Sequence, residues 1–144
     1  MKRNVIFATL IATVLLAGCN QSSNKESGEG GGDKLVIGAT MLSMQNEFIV
    51  NVSDAMEAKA KEMGVELITV DAERSALKQV EQVESFIGQG VDAIIMNPCE
   101  VEASSPAVKL AMDAKIPIIN VNSETSAKPT AFVARTIPNR HALR

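Results

Sequence analysis

Residues 90–98 read Gly-Val-Asp-Ala-Ile-Ile-Met-Asn-Pro, and this stretch decides the fold class. The short apolar run at 91–96 predicts a buried strand. Asn97 and Pro98 end that strand, because an Asn-Pro pair favours a turn. Gly90 closes the helical pattern that comes just before. The stretch therefore predicts a helix, a tight turn and a buried strand in immediate succession.

The same alternation extends along the chain in both directions. Four further apolar runs predict strands at 34–39, 65–70, 116–121 and 130–133. Three helices separate the first four strands, and this order favours right-handed parallel crossovers. The predicted fold class is α/β, with an open parallel sheet and helices on both faces.

The three predicted helices have recognisable starts and stops. The first runs over 47–63, with Gly64 as its stop. Ser75 can cap the second, which Gly90 ends; its predicted inner face consists of Leu77, Val80, Val83, Phe86 and Ile87. The third begins at Ser104 or Ser105, with Pro106 in its first turn.

Polar side chains follow three of the predicted strands. Asp71, Asn97 and Asn122 each stand at a strand end, and their loops meet at the carboxyl edge of the sheet. Open α/β sheets bind ligands beyond this edge, between the first and third strands. Fixed donors and acceptors there suit a polyhydroxylated ligand.

Several function classes are poorly supported. The net charge of −3 has no basic excess, which argues against nucleic acid as a partner. His141 is the single histidine, so neither a His-based catalytic site nor a metal cluster is expected. The motifs of dinucleotide, phosphate-loop and nucleophile-elbow enzymes do not occur. We therefore expect neither catalytic residues nor a cofactor.

The first 33 residues have the composition of a signal and a tether. Lys2 and Arg3 precede an apolar run at 5–16 that is too short to span a bilayer comfortably. The run ends at 16–19 as Leu-Ala-Gly-Cys, which resembles the bacterial lipoprotein box and implies a diacylglyceryl group on Cys19. The alternative is a plain secretory signal with an incidental cysteine.

We therefore assign 1–18 to a lipoprotein signal peptide and 19–33, rich in Gly and Ser, to a flexible tether. The expected location is the extracytoplasmic face of the cell membrane. A lipidated Cys19 leaves Cys99 unpaired, and the simplest interpretation of Cys99 is a small, half-buried apolar residue.

Four segments together resemble the type I periplasmic binding protein family. They are Leu-Val-Ile-Gly-Ala-Thr at 35–40, Gln-Asn-Glu-Phe at 45–48, the stretch at 90–98, and Ile-Pro-Ile-Ile-Asn-Val-Asn at 116–122. Within the family, the ribose, xylose and inositol receptors of ABC importers are most similar. The resemblance implies two lobes that close on a sugar or polyol, and an importer permease as partner.

The resemblance also implies site residues. Asn46 and Phe48 match the family's first-loop asparagine and aromatic, but Ile49 stands where a second aromatic is usual. Asn122 fits the position after the fourth strand, whereas Ser123 replaces the expected arginine, a departure that argues against a simple pentose. Other interpretations stay open: Phe48 as core, Asn122 as a turn residue, and Asp71 as a cap or turn carboxylate.

The resemblance ends at Val133. Residues 134–144 contain three arginines and no acid, where the family continues with a Gly-Ser-Asp-Asp-like turn. One choice of codons, shifted by one base, restores that turn, and this suggests a frameshift. The expected domains are a partial amino-terminal lobe at 34–133 and an aberrant tail at 134–144. Without a second lobe, ligand binding is expected to be impaired.

Three other functions are alternatives to sugar capture. A LacI-type regulator shares this fold but needs an amino-terminal helix-turn-helix, where this chain has a signal-like segment. An α/β enzyme lacks support from any motif. A receptor for a non-sugar ligand, such as a quorum-signal furanone, stays open because of Ser123.

Overall fold

The computed structural model describes residues 34–134. Along the chain lie β1 (Val36–Met41), α1 (Glu47–Met63), β2 (Glu66–Asp71), α2 (Ala76–Gln89), β3 (Ala93–Met96), α3 (Ser105–Asp113), β4 (Ile118–Val121) and β5 (Ala131–Val133). This order confirms the predicted α/β alternation. The predicted signal peptide, Cys19, the tether and residues 135–144, with His141, lie outside the described residues.

The five strands form one parallel sheet in the order β2-β1-β3-β4-β5. The crossover through α1 leads from β1 to β2 on one side of β1. The crossover through α2 then leads from β2 past β1 to β3 on its other side. Right-handed crossovers in opposite directions place their helices on opposite faces. Thus α1 covers one face, and α2 and α3 pack together on the other.

The hydrophobic core lies between the sheet and the α2–α3 layer. Its fully buried members include Val83, Phe86, Ile94, Met96, Val108 and Ile118. Gly38 of β1 admits the Phe86 ring, because a Cβ at residue 38 would stand 2.6 Å from the ring atoms. This contact brings α2 directly onto the centre of the sheet.

The helix ends follow the local signals in the sequence. Ser75 Oγ accepts a hydrogen bond from Lys78 N at 3.2 Å, as expected of a helix cap. Gly64 and Gly90 end α1 and α2 with φ values of 69° and 71°, which glycine adopts without steric cost.

The prediction that Leu77 belongs to the inner face of α2 is wrong. Leu77 is 70% exposed, whereas Gln79 of the same helix is fully buried. Gln79, Val83 and Phe86 share one face of α2, and Leu77 lies about 200° around the axis from Gln79. The inner face of α2 therefore begins with a polar residue.

The opposite face of the sheet is only partly covered by the described residues. In α1 only Ile49 and Ser53 are buried, and the helix packs mainly against β2. Between α1 and the β4–β5 edge lies an open groove of about 530 Å³, here called the α1 groove. Its apolar lining consists of Phe48, Val52, Ala55, Met56, Val121, Val133 and Ala134. Among residues 34–134, no helix combines the length and hydropathy needed to cross a membrane.

Candidate ligand-binding site

The loops after β1, β2, β3 and β4 meet at the carboxyl edge of the sheet. β1 and β3 are neighbours in the sheet, and the chain leaves β1 towards α1 on one face but leaves β3 towards α3 on the other. Such a reversal opens a crevice between neighbouring loops, where open α/β sheets bind their ligands. This edge, here called the ligand edge, contains all six residues that the sequence predicts to contact a ligand.

Asn46 and Phe48 lie at the start of α1. Asn46 Oδ1 accepts a hydrogen bond from Phe48 N at 2.9 Å, so the asparagine caps the helix. The Phe48 side chain is 53% exposed and lines the α1 groove, so in residues 34–134 it is not a core residue. Ile49, which stands where the family has a second aromatic, is instead buried beneath the helix.

Asn122 and Ser123 form a tight turn immediately after β4. Asn122 has a φ of 68°, a left-handed conformation that asparagine tolerates better than most residues. Its backbone N donates to Val133 O at 2.8 Å, and Ser123 N donates to Val121 O at 2.8 Å. Asn122 lines the same groove as Phe48. The structure thus brings together two predicted contacts that are 74 positions apart in the chain.

Asp71 and Asn97 both have structural hydrogen bonds. Asp71 Oδ1 accepts from Glu73 N at 2.8 Å and supports a turn in which Glu73 and Arg74 both have positive φ. Asn97 is 1% exposed, and its Nδ2 donates to Val121 O at 2.9 Å, which joins the ends of β3 and β4. Neither residue lines the α1 groove. Their ligand contacts stay predictions.

Two glutamines of α2, Gln79 and Gln82, were not predicted from the sequence as part of this edge. Their side chains hydrogen-bond to the strand ends and to the loop after β3. Gln82 accepts a hydrogen bond from Thr40 Oγ1 at 2.6 Å and donates to Asp71 O at 2.8 Å, which ties the ends of β1 and β2 together. Gln79 bonds to the loop after β3. The sequence contained one indication that Gln79 is buried: it lies four positions before Val83 and seven before Phe86, on the same face of the helix.

Cys99 lies in the loop after β3 and is half-buried. Burial raises the pKa of its thiol to about 11, and the nearby negative charges of Glu100 and Asp71 add to this effect. The thiol is therefore protonated and unreactive at neutral pH. Within residues 34–134, no three His, Cys, Asp or Glu side chains are grouped so that they could hold a metal ion.

Comparison with known proteins places this fold among the periplasmic binding proteins. The periplasmic binding protein domain family matches residues 37–137. The ribose import binding protein of Bacillus subtilis (strain 168) is 32% identical over 138 residues, covering 93% of this chain and 45% of the relative. A putative rhizopine-binding protein of Rhizobium meliloti is 40% identical over 104 residues, covering 68% of this chain and 34% of the relative.

A solved structure gives the same result. An ABC transporter solute binding protein from Bacillus halodurans C-125, with bound myo-inositol, is 36% identical, with a TM-score of 0.65. The match covers 72% of this chain and 37% of that protein. The chain thus spans less than half the length of these relatives. Because the family match extends over well more than half of the chain, the chain belongs to the type I periplasmic binding protein family.

Proposed function

We propose that this chain is the substrate-binding lipoprotein of an ABC importer and binds a sugar or polyol at its ligand edge. The relatives that support this proposal are a ribose import binding protein, a putative rhizopine-binding protein and a protein with bound myo-inositol. The expected partner is the importer permease, on the extracytoplasmic side of the cell membrane.

The observation that carries the proposal is the position of Phe48 and Asn122 on one groove. A sugar or cyclic polyol has apolar C–H faces that pack against an aromatic ring, and hydroxyls that pair with an amide. An exposed phenylalanine at a helix start, opposite an asparagine at a strand end, offers both kinds of contact. Phe48 N donates to Asn46 Oδ1 and Asn122 N donates to Val133 O, so the backbone of each residue is held locally before a ligand arrives.

We propose further that a polypeptide of this sequence alone holds its ligand weakly. Binding proteins of this kind trap a ligand by hinge closure between two lobes. The described residues supply one side of such a cleft, and contacts made there stay open to water. Dissociation constants on the order of 1 mM or weaker are therefore expected.

The test is a titration of the isotope-labelled chain with ribose, xylitol and myo-inositol, followed by NMR. The proposal expects shift changes grouped at 46–48 and 122–123. They should be lost in Phe48→Leu, which removes the aromatic face, and in Asn122→Gly, which removes the amide but keeps the positive φ. Leu77→Ala, on the outer face of α2, should behave as the parent. Changes produced only by a furanone would favour the non-sugar alternative, and changes elsewhere would refute this site.

Lipid anchoring through Cys19 forms part of this proposal. The alignment with the Bacillus subtilis relative covers 93% of the chain, more than residues 34–144 provide, so it includes part of the predicted signal and tether. Two acyl chains hold a protein stably on a membrane. Labelled palmitate should be incorporated into the parent but not into Cys19→Ala, which should be released from membranes. Unchanged labelling of the variant would refute the anchor.

We also propose that residues 134–144 arise from a shifted reading frame. The family match ends at residue 137, only four positions beyond Val133. Sequencing the gene through the codons around Val133 tests this directly. A one-base shift that restores the Gly-Ser-Asp-Asp turn would support the proposal, and an unambiguous frame through Arg144 would refute it.

A further inference from the structure

Gln79 of α2 is a fully buried polar side chain with three hydrogen bonds to one loop. Its Nε2 donates to Asn97 O at 2.7 Å, and its Oε1 accepts from Cys99 N at 2.9 Å and from Ser104 Oγ at 2.8 Å. Both lone pairs of the amide oxygen are thus used.

The partner loop, 97–104, runs from β3 to α3 and forms part of the ligand edge. Ser104 extends the contact, because its Oγ also accepts from Glu100 N at 3.1 Å and the residue is itself fully buried. The loop contains no strand or helix of its own. Three of its backbone groups, Asn97 O, Cys99 N and Glu100 N, therefore form hydrogen bonds with side chains rather than with a neighbouring strand.

Such a buried amide affects the loop differently from an apolar residue. Leucine at position 79 would fill a similar volume but leave Asn97 O and Cys99 N without their present partners. Unpaired buried polar groups are costly, and the loop can relieve that cost by opening to water. The strands of the sheet are held by hydrogen bonds to one another, so they need not open when the loop opens.

We propose that Gln79 is a positioning residue that holds loop 97–104 in the shape presented at the ligand edge. The inference rests on the proposed function for its consequence in binding, but the effect on the loop needs no ligand. It assigns Gln79 a local role, distinct from general stabilisation of the fold. In a purely stabilising role, the loop would open only when the whole domain unfolds.

Amide hydrogen exchange in the full chain tests this directly, because Cys99 N–H and Glu100 N–H belong to the network. In Gln79→Leu we expect their exchange to accelerate by about tenfold or more. The rate should stay independent of urea below the unfolding transition, as local openings do. Exchange at Ile94 N–H, which bonds to Pro117 O inside the sheet, should still follow global unfolding.

Two further variants keep the test decisive. Gln89→Leu alters a glutamine at the end of the same helix, whose Nε2 bonds to Ser85 Oγ of that helix and not to loop 97–104, and it should leave loop exchange unchanged. If Gln79→Leu fails to fold, Ser104→Ala removes one member of the network and should accelerate exchange at Glu100. The proposal is overturned if Cys99 and Glu100 in the folded variant exchange at the parent's rate, or only with the urea dependence of Ile94.

Titration with myo-inositol separates this inference from the proposed function. If the parent binds, Gln79→Leu should bind about tenfold more weakly or worse while Gln89→Leu binds normally; equal affinity in all three would overturn the positioning role. If the parent binds none of the sugars or polyols tested, the proposed function fails in this chain. The exchange measurement then decides the role of Gln79 by itself.

Discussion

At the scale of single residues, Asn46 combines a helix cap with a predicted ligand contact. Asn46→Ala should lower the free energy of unfolding by about 1 kcal/mol, because Phe48 N loses its acceptor at the start of α1. Urea unfolding of the full chain measures this loss. Asn46→Asp keeps an acceptor and should retain most of the stability. An equal loss in both variants would mean that the cap contributes little.

Cys99 gives the fold a stability term that depends on alkaline pH. The thiol pKa is about 11 in the folded chain and returns to its ordinary value of 9.0 on unfolding. The unfolded chain therefore loses this proton first, and unfolding releases a proton between these two pH values. The contribution is complete below the unfolded pKa and is lost as the pH rises through the folded pKa.

Urea unfolding at pH values below 9 and between 9 and 11 measures this term. The parent should lose more stability over this interval than Cys99→Ala, which lacks the thiol. Cys99→Ala differs from the parent only in this side chain, so the contributions of all other groups are common to both proteins and cancel in the comparison. Parallel losses in the two proteins would contradict the raised pKa.

At the scale of elements, the contact between β1 and α2 allows no added side chain. Gly38→Ala would place a Cβ 2.6 Å from the Phe86 ring, so strand and helix must separate or the ring must leave its position. The free energy of unfolding should fall by about 1–3 kcal/mol. Gly88→Ala in α2 meets nothing within 4 Å and should stabilise the chain by about 0.5–1 kcal/mol.

A double variant identifies the cause of the Gly38 effect. Phe86→Leu on its own removes part of the core, but it makes room for the alanine at position 38. The combined loss in Gly38→Ala with Phe86→Leu should therefore be smaller than the sum of the two separate losses. If the two losses in the free energy of unfolding simply added, the clash with Phe86 would not be the cause of the Gly38→Ala effect.

At the scale of the whole molecule, the α1 groove is an open surface whose lining is mostly apolar. We expect the full chain to bind the dye 8-anilinonaphthalene-1-sulfonate. The double variant Val52→Lys with Met56→Lys should reduce the fluorescence, because both positions line the groove. Ala58→Lys, an exposed position of α1 outside the groove, is the matched control. Equal fluorescence in all three proteins would contradict an open groove.

The order of strands and helices, the fold class, the end of α1 and both ends of α2 could be predicted from the sequence because these properties are local. Apolar spacing distinguishes strands from helices over a few residues. Gly64, Gly90 and Ser75 act on the backbone next to them, through positive φ or a cap. The candidate ligand edge followed as well, because a parallel sheet brings all its strand ends to one side.

Only the tertiary structure decided which side chains meet there. Phe48 and Asn122 share a groove because α1 faces the β4–β5 edge, whereas Asn97 turns inward to bond to Val121 O. Gln79 is buried and Leu77 exposed because the loop after β3 supplies partners for an amide on the inner face of α2. Such contacts join residues far apart in the chain, and local spacing carries no record of them.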